Sequence, residues 1–259
     1  MGILNVTPDS FSDGGLFLDR NTAIKHAVAM AADGADIIDV GGESTRPGSD
    51  PVSPVDELDR VIPVVQAIAQ EVDAAISIDT TKAEVAEAAL GAGAVIVNDV
   101  SAMRFDPTMS EVVASWEAGL VLMHMLGEPR TMQKDPEYDD VVADVTGALT
   151  QWADTAADSG ISRDRIALDP GIGFGKKLDH NLMLVKSLHR LVATGHPVLV
   201  GPSRKSFIGT TLDLDVDERL EGTAAVVALC IFKGAHIVRV HDVKEMTRVV
   251  RMAEAIARA

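Results

Sequence analysis

Eight short apolar runs in this chain each lead into groups that can hydrogen-bond or carry charge. In order these are Asn5, Asp39 with Glu43, Asp79, Asn98 with Asp99, His124, Asp169, Ser203 with Lys205, and Arg239 with His241. A buried polar group costs free energy unless it is partnered. One or two such groups per run therefore point to a ligand rather than to packing. Ionised Asp79 and Asp169 can only accept, Asn98 can donate and accept, and Lys205 can only donate. Together they suit a nitrogen heterocycle with donors and acceptors along its edge. Arg239 and His241 lie two apart and share one side of a strand. With Asn5 they suit a phosphate-type anion accompanied by Mg2+, which prefers oxygen ligands, substrate phosphates and retained water. The stretch Gly201-Pro202-Ser203-Arg204-Lys205-Ser206 reads as a helix start whose free N–H groups favour a carboxylate or phosphate. Arg204 within it is expected to be solvated.

Other chemistries are missing. No Ser-His-Asp arrangement stands out, and there is no H-E-x-x-H. The glycines of Gly171-Ile172-Gly173-Phe174-Gly175 are spaced wrongly for a dinucleotide fingerprint. The single cysteine, Cys230, excludes an internal disulfide and reads as a buried, inert thiol. His26, His180, His189, His196 and His236 fall outside the strand ends and read as packing or surface residues.

The elements that must position these groups recur along the chain. The apolar runs are Gly2–Val6, Ala35–Val40, Ala75–Ile78, Val95–Val97, Leu120–Met123, Ile166–Leu168, Pro197–Val200 and Ile237–Val240. Such runs suit strands buried on both faces of a parallel sheet. Helical segments separate them. Ser53-Pro54-Val55-Asp56 offers an N-cap with a proline at the first helical position, and Thr81 with Glu84, Asp242 with Glu245 and Asp106-Pro107 repeat that logic. Gly34, Gly93, Gly119, Gly160, Gly195 and Gly234 sit where a helix end wants a left-handed residue. Pro63 lies inside the second helix and is expected to kink or break it. Eight such units over residues 1–259 predict a single α/β domain, a (β/α)8 barrel, in preference to a doubly wound sheet. The loops from Thr7 to Asp19 and from Gly41 to Ser53 are long for this architecture. Both are expected to close over a substrate.

Lys and Arg total 23 against 39 Asp and Glu, a formal charge of −16. That balance argues against nucleic acid and against an anionic membrane surface as partners. Much of the acidic excess lies on the helices, at Asp56, Glu57, Glu84 and Glu87. The cations Arg46, Lys205 and Arg239 gather at the strand ends, which leaves room for a small diphosphate. No run reaches the length of a membrane span, and Met1-Gly2-Ile3-Leu4-Asn5 lacks the basic start of a signal peptide. A cytoplasmic location is expected.

The residues carry a resemblance. Asn5-Val6-Thr7-Pro8-Asp9-Ser10-Phe11-Ser12-Asp13-Gly14-Gly15 resembles the first signature of dihydropteroate synthases, as does Gly41-Gly42-Glu43-Ser44-Thr45-Arg46-Pro47-Gly48 in the second loop. Ser77-Ile78-Asp79-Thr80, Val97-Asn98-Asp99, Asp169-Pro170-Gly171-Ile172-Gly173-Phe174-Gly175-Lys176, Ser203-Arg204-Lys205-Ser206-Phe207-Ile208-Gly209 and Arg239-Val240-His241-Asp242-Val243 extend it over nearly the whole chain. The resemblance implies a (β/α)8 barrel that joins 6-hydroxymethyl-7,8-dihydropterin diphosphate to p-aminobenzoate. It implies a pterin pocket of Asp79, Asn98, Asp169 and Lys205 with Phe174. It implies a diphosphate site of Asn5, Arg239 and His241, assisted by Thr45 and Arg46, with Mg2+ at Asn5. Phe11, Asp13, Pro47 and Ser206 would hold p-aminobenzoate, and the working groups would be Asp13, Lys205, Arg239 and His241. A homodimer is implied as well.

Two alternatives stay open at this point. A methyltransferase acting from a folate to a corrinoid protein would share the pterin pocket but would not need the diphosphate groups. A non-catalytic pterin-binding paralogue should have lost some of them. The chain opens directly on its first strand, where the family often has residues that close the barrel floor. Either the start lies upstream or the floor is covered otherwise. Leu126-Gly127-Glu128 stands where a more polar run is expected.

Overall fold

The apolar runs pair as parallel strands, in sequence order, in the computed structural model of the chain, which describes residues 1–7, 16–44 and 49–259. The elements begin β1 (Gly2–Asn5), α1 (Leu16–Ala32), β2 (Ile37–Gly41), α2 (Pro54–Glu71), β3 (Ala75–Asp79), α3 (Ala83–Ala92), β4 (Ile96–Asp99) and α4 (Met109–Ser115). They continue as β5 (Gly119–Met123), α5 (Val141–Asp158), β6 (Ile166–Asp169), α6 (Leu178–Lys186), α7 (His189–Val192), β7 (Leu199–Val200), α8 (Ser206–Leu212), α9 (Leu220–Phe232), β8 (Ile237–Val238) and α10 (Val243–Ala257). Strands β1 to β6 form one parallel sheet, and β7 pairs with β8. Single parallel bridges, Leu168 to Val198 and Gly2 to Val240, join the two sets and close the ring. Backbone bonds hold both seams, from Leu168 N to Pro197 O (2.8 Å) and from Ile3 N to Val240 O (3.0 Å). The architecture is the expected (β/α)8 barrel. Strands β7 and β8 are shorter than the apolar runs that announced them.

Side chains alternate across each strand, and this sorts the barrel interior into layers. Val121, Ala167 and Leu199 pack with Ile96 and Ile237 in the lower layer. Two residues further along the same strands come Met123, Asp169, Gly201, Asn98 and Arg239. The mouth is therefore polar because the same strand faces switch residue type after one step. The larger core, including Ile38, Val40, Val61, Ile68, Ile78, Val85, Leu122, Leu149 and Leu168, fills the space between strands and helices.

Local expectations divide. Ser53 caps α2, its side chain accepting from Asp56 N at 3.2 Å. Pro63 neither breaks nor ends α2, which runs through to Glu71. The carbonyl that its missing N–H would have bonded, Asp59 O, accepts instead from Arg20 at 2.7 Å. Thr81 does not cap α3. The first N–H of that helix, on Ala83, donates to Asp106 across the loops at 2.8 Å. Asp106 also turns the chain at Thr108, and α4 starts at Met109 rather than at Pro107. Asp242 precedes α10 without a side-chain cap bond, because its carboxylate is taken by Arg204. Five of the six expected glycines have positive φ, while Gly119 does not and Glu117 (φ 50°) takes the left-handed place before β5. Among the described residues no helix is long and apolar enough to cross a membrane.

Candidate active site

One row of register-paired residues forms one wall of the mouth. Asn5 lies beside Gly41, Gly41 beside Asp79, and Asp79 beside Asn98. Gly41 leaves the row open. A Cβ there would lie 3.7 Å from Asp79 Oδ2 and 3.8 Å from Asn5 Oδ1, so the two oxygens face the same small space. Asp169, at the end of β6, fills the opposite side. Its Oδ1 accepts from Gly171 N at 2.7 Å, which fixes the carboxylate. Burial pushes its pKa up to about 6, against the pull of that N–H and of Lys205, Arg239 and Lys176.

Lys205 reaches in from the start of α8. Its Nζ sits 4.1 Å over the Phe174 ring, a cation–π contact that holds the ammonium while leaving its donors free. Burial and then the Arg239 charge lower its pKa to about 8. Glycine is required beneath it. A Cβ on Gly173 would come within 3.2 Å of Lys205 Cδ, and its φ is +84°.

Arg239 is the hub. Its Nε donates to Asp39 Oδ2 at 2.6 Å and its Nη2 to Asp79 Oδ2 at 2.7 Å. Asp39 Oδ2 also accepts from Asn98 Nδ2 at 3.0 Å. With its nitrogen committed below, Asn98 keeps its carbonyl oxygen for a ligand. Burial holds Asp79 above the usual carboxylate range, opposed by Arg239 and reinforced by Asp39, Glu57 and Asp99.

His241 is set by Ser203. The serine Oγ accepts from His241 N at 3.2 Å and lies 2.9 Å from Nδ1. Its own proton is then free for Nδ1, which places the imidazole proton on Nε2. Burial, followed by Arg239 and Arg204, lowers the His241 pKa to about 4. A neutral ring with one outward N–H results.

Two expected members of the strand-end set turn away, and the reason is parity. Asp99 follows the inward Asn98 and so faces outward. It accepts from Ser101 N and Met103 N at 2.7 Å each, turning the chain through Ala102 and Met103 at positive φ. His124 follows the inward Met123. Its ring stacks on Trp152 at 5.6 Å, and burial, then Lys176 and Arg104, lowers its pKa to about 3. Arg204 is not simply solvated, since its Nε bonds Asp242 at 3.0 Å. Glu43 joins the wholly buried Glu57 through Lys82, whose Nζ lies 2.5 Å from Glu57. Phe11, Asp13, Thr45, Arg46 and Pro47 lie outside the described residues. Ser206 stands at the first turn of α8, exposed.

The supporting groups were harder to read from sequence. Lys176 is buried, and its Nζ contacts Phe174 O (2.9 Å), His124 Nδ1 (3.1 Å) and His124 O (3.2 Å). It ties the loop after β6 to the loop after β5. Burial lowers its pKa to about 7. Only its place in the glycine-rich run hinted at a role. Asp39 was visible as a strand-end acid, but its partners were not. For Ser203, the two-residue spacing to Lys205 was the available signal.

A divalent cation meets a sparse donor set. Among the described residues no group of three or more His, Cys, Asp or Glu could hold a metal. Asn5 offers one amide oxygen into the mouth, while Asp79 and Asp39 are committed to Arg239. Such a set fits Mg2+ bound mainly through substrate phosphates and water, the mode that ion favours.

A family model described as "Pterin binding enzyme" matches residues 1–241. A dihydropteroate synthase of Synechocystis is 50% identical over 259 residues, covering 100% of this chain and 90% of that protein. One from Escherichia coli is 49% identical over 255 residues, 98% of this chain and 90% of its own. Among solved structures, a Yersinia pestis dihydropteroate synthase in a sulfonamide drug complex superposes with a TM-score of 0.95 at 44% identity, covering 100% of this chain and 94% of that one. A Xanthomonas albilineans dihydropteroate synthase in complex with 7,8-dihydropteroate gives 0.90 at 39% identity, over 100% and 93%.

Proposed function

The chain belongs to the pterin-binding enzyme family, as a transferase of the dihydropteroate synthase kind, and we propose that the mouth described above joins 6-hydroxymethyl-7,8-dihydropterin diphosphate to p-aminobenzoate and releases pyrophosphate. The carrying observation is convergence. Asp79, Asn98, Asp169 and Lys205 open into the same mouth as Arg239 and His241. A pterin ring and a diphosphate joined by one methylene need both sets at that range. A corrinoid methyltransferase would leave the outward N–H of His241 without a ligand.

In this reading Asp79 and Asp169 accept from the N–H edge of the ring, Asn98 presents its carbonyl, and Lys205 donates to a ring carbonyl or nitrogen. The C–O bond to the diphosphate breaks, and the electron-rich ring spreads the positive charge left on the methylene. Arg239 and the Nε2–H of His241 meet the charge that develops on the departing oxygen, electrostatic stabilisation aimed at the leaving group. Mg2+, bound at Asn5, would offset part of the diphosphate charge. The amine then forms the new C–N bond, and its proton passes to the released pyrophosphate or to water. Asp13 with Phe11, Pro47 and Ser206 hold p-aminobenzoate, and Thr45 with Arg46 assist the diphosphate. A cytoplasmic location goes with this reading. Leu229 and Phe232 of α9 and Met252 and Ile256 of α10 are exposed on adjacent helices. That apolar patch suits a second copy of the chain. Sedimentation at a monomeric mass at micromolar concentration would contradict the dimer.

The test is pyrophosphate release by the purified protein. Release should require the pterin diphosphate, p-aminobenzoate and Mg2+ together. No release, or release indifferent to p-aminobenzoate, overturns the reading. The pH dependence follows from the shifted groups of the ring pocket. Below about 7 Asp79, and below about 6 Asp169, take protons and lose the charge that draws the ring's N–H edge; above about 8 Lys205 loses its charge. We expect kcat/KM for the pterin substrate to be bell-shaped between those limbs, falling about tenfold per pH unit beyond them. Lys205→Arg should remove the alkaline limb. An unchanged alkaline limb in that variant would assign it elsewhere.

A further inference from the structure

We propose that Lys176 is a positioning residue for the ring pocket: its buried ammonium fixes Phe174, and through the Phe174 ring it sets where Lys205 stands. The proposal rests on the reading of the mouth as a pterin diphosphate site in which Lys205 donates to the ring. Its basis is a lysine buried without a counter-charge. Lys176 is only 3% exposed, and an ammonium taken out of water is costly unless well partnered. Its three N–H donors go to Phe174 O at 2.9 Å, His124 Nδ1 at 3.1 Å and His124 O at 3.2 Å. Among the described residues no carboxylate joins them. His124 is a firm anchor for it. The ring is neutral, so Nδ1 can accept, and it stacks on Trp152 at 5.6 Å. The His124 backbone N donates to Asp169 O at 2.9 Å, which ties the residue to the end of β6.

What Lys176 fixes is the segment beneath Lys205. Three consecutive carbonyls, of Gly173, Phe174 and Gly175, accept from three different side chains: Gln133 Nε2, Lys176 Nζ and Tyr138 OH, the last at 2.8 Å. Gln133 is exposed and Tyr138 half-buried. The charged, buried Lys176 is therefore the strongest of the three donors. The Phe174 ring packs on Val100, Met123, Met125 and Met132, and Lys205 Nζ lies 4.1 Å above it. A shift of the Phe174 backbone would carry the ring with it, and the ring carries the cation. The anion groups stand apart from this arrangement. Asn5 ends β1, while Arg239 and His241 follow β8 and are held by Asp39, Asp79 and Ser203. Lys176 should thus act on recognition of the heterocycle and not on that of the diphosphate.

Calorimetric titration of the full-length protein tests this, with 6-hydroxymethylpterin in one series and pyrophosphate with Mg2+ in the other. Lys176→Met keeps the apolar stem and removes the ammonium. It should weaken the pterin by about tenfold and leave pyrophosphate within about twofold. In turnover, KM for the pterin diphosphate should rise by a similar factor while kcat stays within about twofold. Phe174→Ala should weaken the pterin as well. The double variant should bind no more weakly than Phe174→Ala alone, because a residue that acts through the ring has nothing left to hold. Tyr138→Phe frees the neighbouring Gly175 O and keeps its own ring. It should weaken the pterin by about threefold and spare pyrophosphate, and it decides the matter if Lys176→Met does not fold. Unchanged pterin affinity, equal losses for both ligands, or fully additive losses in the double variant overturn the proposal. If the unaltered protein binds neither ligand, the site reading itself is wrong and the positioning role falls with it.

Discussion

Arg239→Met is expected to cost about 3–5 kcal/mol of stability, because it strands two buried carboxylates whose charge, among the described residues, only that guanidinium balances at hydrogen-bond distance. Asp39 and Asp79 both pair with it, at 2.6 and 2.7 Å. For a chain of this size each kcal/mol moves Tm by roughly 2–4 °C. A fall of about 6–20 °C should appear in a thermal melt. Pyrophosphate release should drop by about 10²–10³ even below the melting range, since a donor to developing leaving-group charge is gone. The double variant Asp39→Asn with Arg239→Met removes the worst of the stranded charge, and it should recover a large part of the stability but none of the activity. A single variant melting within 2 °C of the unaltered protein would show that the pair is solvated rather than buried.

The second large effect comes from a residue with no side chain. In Gly171→Ala the new Cβ would sit 1.9 Å from His124 O, and φ at that position is +65°. Neither obstacle is easily relieved. The His124 carbonyl is held by Lys176 Nζ at 3.2 Å, and His124 N donates to Asp169 O at 2.9 Å. The loops after β5 and β6 must separate, and Asp169 loses the N–H that orients it. We expect more than about 4 kcal/mol of destabilisation, or a folded protein whose pterin affinity has fallen at least about 100-fold. Gly147→Ala in α5 is the control, since a Cβ there meets nothing within 4 Å. It should stabilise by up to about 1 kcal/mol. If Gly171→Ala retains both Tm and pterin binding, the close approach of the two loops is not what shapes the pocket.

The barrel was legible because its signals are local. Apolar runs of strand length recur eight times, with helix starts such as Ser53-Pro54 and glycines before strands between them, and a closed ring is the arrangement that buries all eight runs on both faces. Strand ends were legible for the same reason: the residues that follow an apolar run lie at the mouth end of the barrel, whichever face each one takes. Local signals failed where the partner is distant in sequence. The cap of α3 comes from Asp106, the carbonyl freed by Pro63 is taken up by Arg20, and the cap expected from Asp242 is lost to Arg204. Each is a hydrogen bond across a long stretch of chain, which no window of residues contains.

The site shows the same division more sharply. Residue type and strand-end position were enough to nominate Asn5, Asp79, Asn98, Asp169, Lys205, Arg239 and His241, and the motifs assigned them to a pterin and a diphosphate. Position alone also admitted Asp99 and His124. Only the three-dimensional arrangement rejects these, because adjacent strand residues point to opposite faces and the structure sets which residue of each pair turns inward. Charge had the same limit. The total of −16 and the placing of acids on helices were sequence facts. The pairing of Arg239 with Asp39 and Asp79 spans 200 and 160 residues and exists only once the ring closes. Chemistry was thus written into residue types at strand ends, while the choice of partners, and with it each group's charge and orientation, belongs to barrel closure.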